Sequence, residues 1–255
     1  MKRVVAVVVF CVCVFGVAGV MRAQTLEERK QLIEAHDNAP ASQEALDRRA
    51  RSDAELQKEN VPLNAKLPVI ADSKSAQQRT KEEIADRAIA LCLVSMKATG
   101  ADGEMMDSLV KKYGAEKFFS PDEEAFMKEK EPAMKEKIAF SWRSEDYWVM
   151  LWALGYVEKL DYPKAECDLQ KAAAFLLTSG STDEFIGHAK LRTIGEILDQ
   201  ADLIYQYHWA TDDARANGRD VPTGLSSDVV MERHYALNWL IGYMKQAWDH
   251  ITTDT

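Results

Sequence analysis

The sequence predicts an all-α protein: a single multi-helix domain with a charged, helical N-terminal extension. Three observations carry that prediction. Ser or Thr followed three residues later by Glu recurs along the chain, at Thr80–Glu83, Ser120–Glu123 and Ser181–Glu184. The hydroxyl and the carboxylate of such a pair satisfy opposite orphan donors at a helix start. The segment WRSEDYWVMLWALGYV, after Ser141, is apolar nearly all round over about four turns, the pattern of a central helix. No stretch alternates with the two-residue period of a strand, and only Lys66 to Ala71 reads as a short extended piece.

Taken in order, the chain begins with Met1-Lys2-Arg3 and an apolar run from Val4 to Val20. The run is short for a membrane span, which needs about 20 apolar residues. A basic start, an apolar middle and small residues up to Ala23 are the layout of a secretory signal peptide. Residues 1–23 are therefore expected to direct export to the periplasm or the exterior, with membrane contact only through an uncleaved signal. Residues 24–60 form a charged extension with few apolar anchors (Leu26, Leu32, Ile33, Leu46, Leu56), expected to lie on the surface or loosely attached. The prolines of NVPLNAKLP disfavour helix before them, which places a boundary near residue 60 and the main domain at 61–255.

Within that domain, Thr80 opens a helix to about Ala98 with Ile84, Ala88, Leu91 and Ser95 on one side. Met105 to Tyr113 reads as a second helix, and Ser120-Pro121 starts a third with Pro at its first position. Ser181 is expected to cap a long helix reaching about Ala216. Ser227 or Asp228 caps a last one, VVMERHYALNWLIGYMKQAW. Lys128 to Glu131 reads as a solvated helix face.

The formal charge is −9, and 47% of the residues are hydrophobic, enough for a substantial core. Loss of residues 1–23 removes Lys2, Arg3 and Arg22 and no acid, leaving −12. An acidic chain without a basic stripe repels phosphates, which argues against nucleic-acid partners. Cys11 and Cys13 would leave with the signal. Cys92 and Cys167 remain and could form one disulfide in an oxidising compartment. Cys92 lies in the apolar run AIALCLVSM, where a thiol behaves as a small buried hydrophobe.

The candidate functional stretch is Leu191 to Trp239. It places Arg192, Glu196, Asp199, Asp202, His208, Glu232, Arg233, His234 and Asn238 among large apolar residues, with Arg143 on the central helix as a further member. Charged groups so placed must be solvated or paired. One expectation is a network in which Arg143, Arg192 and Arg233 fork onto Glu145, Glu196, Asp199 or Glu232. Another is a pocket walled by Tyr205, Trp209, Tyr235 and Trp239. Bundles also build metal sites from facing carboxylates and histidines. The Glu-x-x-His and His-Glu-x-x-His signatures are absent, so no metal ligand and no cofactor is assigned. Gly-x-Ser-x-Gly is absent as well.

The blocks RTKEEIADRAIAL, FFSPDEEAFM, FSWRSEDYWVMLWALG, LRTIGEILDQADLIYQYHWA and VVMERHYALNWLIGY…WDHITTDT together resemble the DUF4272 family, over about residues 62–255. The resemblance implies an all-α domain with no established activity, cofactor or catalytic residue. The family's recurrent polar words match at Arg79, Arg143, Glu145, Arg192, Glu196, Asp199, Asp202, Trp209, Glu232, Arg233, Asn238, Trp239, Trp248 and Asp249. Gln206-Tyr207 stands where the family pattern implies an Arg. Two functions are then expected to compete. The first is a non-enzymatic binding module of the cell envelope, with a protein or small-molecule partner. The second is a metal-dependent hydrolase using the carboxylates and histidines of the two C-terminal helices.

Overall fold

The computed structural model describes residues 25–37 and 40–255. The segment expected to be a signal peptide lies outside them. Among the described residues every regular element is helical. The helices are α1 (Leu26–Asp37), α2 (Gln43–Lys58), α3 (Lys81–Ala98), α4 (Gly103–Tyr113), α5 (Pro121–Lys128), α6 (Met134–Ser141), α7 (Arg143–Ala153), α8 (Leu169–Leu177), α9 (Thr182–His188), α10 (Ile194–Ala216) and α11 (Ser227–Leu240).

Helix α3 is the axis. Thr80 and Glu83 close the expected capping box at its start. Ile84, Ala88, Leu91 and Ser95 are buried as the spacing predicts, and Ala85, Ile89, Cys92 and Leu93 on the other faces are buried too. The reason is that partners surround it: α7 packs along it, and α4, α5, α6, α8 and α9 wrap the rest. Burying each Ile or Leu contributes about 1.5–3 kcal/mol. Beyond α3 the helices form a row, with α7 against α11, α11 against α10, and α10 against α2.

Two helix ends are set by straps from distant chain. Gly155, at φ +76°, ends α7, and a Cβ there would lie 2.7 Å from the Lys190 carbonyl oxygen. The close approach lets Lys190 N and Arg192 N donate to the carbonyls of Leu154 and Ala153 at 2.7 and 2.9 Å. Gly242, at φ +67°, does the same for α11, and a Cβ at that position would lie 2.7 Å from the Gln77 carbonyl oxygen. Gln77 N and Arg79 N donate to Ile241 O and Leu240 O at 3.0 and 3.1 Å. Terminal carbonyls that would otherwise lack partners are thereby satisfied.

These straps correct two expectations. The long helix expected from Ser181 is two helices: Ser181 caps α9, residues 189–192 run along the end of α7, and Thr193 with Glu196 opens α10 through a capping box of its own. The last helix, expected to reach Trp248, stops at Leu240, and residues 243–250 hold short 3₁₀ turns. Ser141, expected to open the central helix, instead ends α6 and donates to Ile138 O at 2.8 Å.

Helix α2 lies on the surface, one of its two expected placements, and is firmly rather than loosely attached. Ala45, Ser52 and Leu56 are buried against the domain, and Arg48 is only 2% exposed. Its arginines meet the acids of α10. Arg49 reaches the Asp202 carboxylate through Nη2 at 3.0 Å and Nε at 3.2 Å. Arg48 Nε and Arg51 Nη2 reach Asp199 at 3.2 and 2.5 Å. Asp202 is 1% exposed, so Asp202→Ala leaves the Arg49 guanidinium without its counter-charge and is expected to cost about 3–5 kcal/mol. Arg51→Ala, at the exposed edge, should cost under about 1 kcal/mol. Urea denaturation followed by circular dichroism checks both, and equal costs would show that α2 is not held by Asp202.

Candidate functional site

Successive residues on a helix point about 100° apart, and α11 uses this to send three polar side chains to three places. Glu232 and Arg233 turn toward α7, and His234 turns toward α10. Arg143 Nη1 donates to Glu232 Oε2 and Asp146 Oδ2, both at 3.0 Å. Its guanidinium lies over the rings of Tyr235 and Trp248, at 4.6 and 5.8 Å. Burial, and then the neighbouring Glu232 carboxylate, push the Asp146 carboxyl well above the usual range, against the pull of Arg143. Two acids thus share one guanidinium, and Asp146 holds a proton more readily than a free carboxylate. Arg233 Nε donates to Glu145 Oε2 at 2.9 Å and Nη1 to the Asp161 carbonyl at 2.6 Å. The second oxygen of Glu145 accepts from Cys167 N.

His208 on α10 and His234 on α11 meet through Nδ1 atoms 2.8 Å apart. Only one nitrogen of such a contact carries the hydrogen. His208 Nε2 lies 3.6 Å from Asp212 Oδ2, which favours the Nε2–H tautomer there. His208 Nδ1 then accepts, His234 Nδ1–H donates, and His234 Nε2 is left as an acceptor. Burial lowers the His208 pKa, opposed by Asp212. Burial and the charge of His208 push that of His234 well down.

The sequence-predicted residues therefore divide among separate jobs. Arg192 anchors the loop after α7, donating to the carbonyls of Trp152, Val157 and Glu158 and to Glu196 at 3.0 Å. Glu196 closes the capping box of α10. Asp199 and Asp202 receive the α2 arginines, and Asn238 donates to Thr252 O at 2.8 Å. Of the carboxylates and histidines expected to form a catalytic metal set, only His208 and His234 meet each other, and Glu196, Asp199 and Glu232 each bind an arginine or a backbone group elsewhere. Among the described residues no group of three or more His, Cys, Asp or Glu is arranged to hold a metal ion.

Three of the predicted pairings occur: Arg143 with Glu232, Arg192 with Glu196, and Arg233 with Glu145. Arg48, Arg49 and Asp146 are the participants that sequence reasoning misses. The signal for the two arginines is their adjacency in a segment otherwise short of apolar anchors. Cys92 and Cys167 are both free. Burial pushes the Cys92 thiol up to about 12, and burial with the Glu145 charge pushes Cys167 up as well.

Two cavities flank this array. The larger, about 760 Å³, is walled by the 67–77 strap, the start of α2, the end of α11 and the C-terminal residues, with Tyr205, His234 and Asn238 among its polar lining. The smaller, about 360 Å³, lies between the end of α2, the loop at 159–163, α10 and α11, and takes in Arg233 and Tyr207.

The model of a domain of unknown function, DUF4272, matches residues 48–251. The chain belongs to the DUF4272 family. The match begins inside α2, ahead of residue 62, so the docked part of that helix lies within the family's domain. Searches among curated proteins and among solved structures found no match. The DUF4272 words at the C-terminal end form one cluster: Arg79 stacks on Trp239 at 4.8 Å, Trp239 meets Trp248 edge-on at 5.6 Å, and Arg87 lies over Trp248 at 5.0 Å. Gln206 is buried and donates to Asp202 at 3.2 Å. Arg49 of α2 supplies the cation to that acid.

The histidine pair gives a signed pH dependence. Both histidines bind protons more weakly in the fold than at the ordinary value of 6.5, so the unfolded chain takes up more protons and stability falls as pH drops through that value. Thermal melts at steps from pH 7.5 to 5.5 should show Tm falling. The double substitution His208→Gln/His234→Gln should flatten that slope, and an unchanged slope would place the titration elsewhere.

Proposed function

We propose that this DUF4272 chain is a non-enzymatic binding module that holds a largely apolar small molecule in its larger cavity. The observation that carries this reading is the cavity itself. About 760 Å³ falls inside the range of small-molecule pockets, which are mostly apolar with a few placed polar groups. Leu67, Pro68, Val69, Ile70, Ala76 and Ile241 supply apolar wall, and the His234 imidazole and Asn238 supply hydrogen-bonding groups. A ligand with one hydroxyl or amide donor and an apolar body fits that lining, the donor meeting His234 Nε2.

Titration with the apolar fluorophore N-phenyl-1-naphthylamine tests the reading. Saturable one-to-one binding is expected, weakened at least about tenfold, or 1.4 kcal/mol, by Ala76→Trp, which fills the cavity from its half-buried wall. Binding unaffected by that substitution would remove the cavity as the site.

The binding module is proposed to work in the cell envelope. The basic start, apolar run and small residues of positions 1–23 support this. Expressed with its own N-terminus in a bacterium, the protein should appear outside the cytoplasm with Gln24 as its first residue. N-terminal sequencing of the fractionated protein checks it, and an intact N-terminus on a cytoplasmic protein would count against export.

A further inference from the structure

The smaller cavity holds a buried cation with one unused donor edge. Arg233 is 4% exposed. Its Nε is taken by Glu145 and its Nη1 by the Asp161 carbonyl. Nη2 has no hydrogen-bond partner among the described residues, yet it is not among the buried polar atoms left unsatisfied. Arg233 lines the smaller cavity, and we take Nη2, the nitrogen bound by neither Glu145 nor Asp161, as its edge there. A guanidinium held by two of its donors and open at the third is pre-organised to receive a carboxylate.

The end of α2 lines the same cavity with the opposite charge. Glu55 and Glu59 stand there. The Glu59 carboxylate accepts from the Tyr207 hydroxyl; burial raises its pKa, and a cation beside it would offset that by favouring the charged form. The rings of Tyr207 and Tyr162 meet edge-on, with centroids 5.7 Å apart, and form an aromatic corner of the kind that attracts ammonium groups. Between the charged walls, Ile204 and Leu237 give an apolar floor. Lys159 and Asp161 pair with each other at 2.8 Å on the exposed rim.

We propose that this cavity is a second ligand site, for a free α-amino acid with an apolar side chain. The ligand carboxylate takes the open edge of Arg233, its ammonium lies against Glu59 and the tyrosine corner, and its side chain covers Ile204 and Leu237. The volume, about 360 Å³, lies at the small end of ligand pockets and suits a single amino acid rather than an oligopeptide.

The test screens the twenty proteinogenic L-amino acids at about 10 mM against the full chain by thermal shift. The one that raises Tm most is then titrated by calorimetry beside its amide, which lacks the carboxylate, and its deaminated acid, which lacks the ammonium. The expected result is one-to-one binding of an apolar amino acid, at least about tenfold tighter than either analogue. Glu59→Gln should weaken the amino acid at least tenfold and leave the deaminated acid unchanged. Ala76→Trp, in the other cavity, should leave both unchanged. No shift from any amino acid, analogues that bind as well as the parent, or binding indifferent to Glu59→Gln would each overturn the proposal. The analogue comparison stands even if the Glu59 variant does not fold.

Discussion

Two adjacent acids, Glu145 and Asp146, sit fully buried on the central helix, and much of the surrounding structure follows from how they are paired. Taking an ion out of water costs several kcal/mol even in a relaxed protein interior, and a buried carboxylate persists only with a well-placed partner. Glu145 is met by Arg233 of α11 and by the backbone at Cys167. Asp146 receives Arg143 from its own helix, while Arg143 also reaches Glu232 of α11. The docking of α11 on α7 is therefore specified by two charged contacts, Arg143–Glu232 and Arg233–Glu145, as well as by apolar packing. Sliding α11 by one residue would bring an apolar side chain, Met231, to the Glu232 position and strand two acids and an arginine at once.

The same logic, applied at the surface of α10, attaches α2. Its apolar anchors are few, and its arginines supply the remaining attachment. Arg49 spans the Asp202 carboxylate and the carbonyls of Leu67 and Pro68, and Arg48 spans Asp199, Glu44 and the Ala71 carbonyl. These side chains hold the 67–71 strap through its carbonyls. Walls held by hydrogen bonds at their edges need not be filled behind, and the larger cavity lies behind this one. Chain placed by polar clips can enclose space in a way that chain placed by core packing does not.

How much of this is legible in the sequence depends on the range of the interaction. Local signals read true: the capping boxes of α3 and α5 depend on residues three apart, and the all-α class depends on period. The pairings Arg143–Glu232 and Arg233–Glu145 are also foreseeable, because a charge in an apolar helix implies a partner and few are available. The end of α11 at Leu240 is not. Its cause is the strap at Gln77–Arg79, about 160 positions away in the chain, while the sequence after Leu240 continues with an apolar pattern. The Thr193–Glu196 box is present to be read, but Ser181 already supplies a start for the same helix. The attachment of α2 escapes a reading that counts apolar anchors and leaves out arginines. The candidate site residues are legible as a group that needs partners. Their separation into clusters depends on the directions of α2, α7 and α11 around α10, and a single chain read in order does not contain those directions.

Arg233 joins the scaffold to the smaller cavity. Its Nε and Nη1 belong to the buried pairing with Glu145 and to the loop at Asp161, its Nη2 is bound by neither, and the residue lines the smaller cavity. A scaffold arginine needs only enough donors to neutralise its acid and fix its plane. Leaving Nη2 open costs little while water reaches it, and desolvating that edge without a partner would cost on the order of 1–3 kcal/mol. Any occupant of the cavity must therefore bring an acceptor to that edge or lose binding energy. The interaction that holds α11 against α7 thus sets a chemical condition on what can enter beside it, and fold and selectivity meet in one side chain.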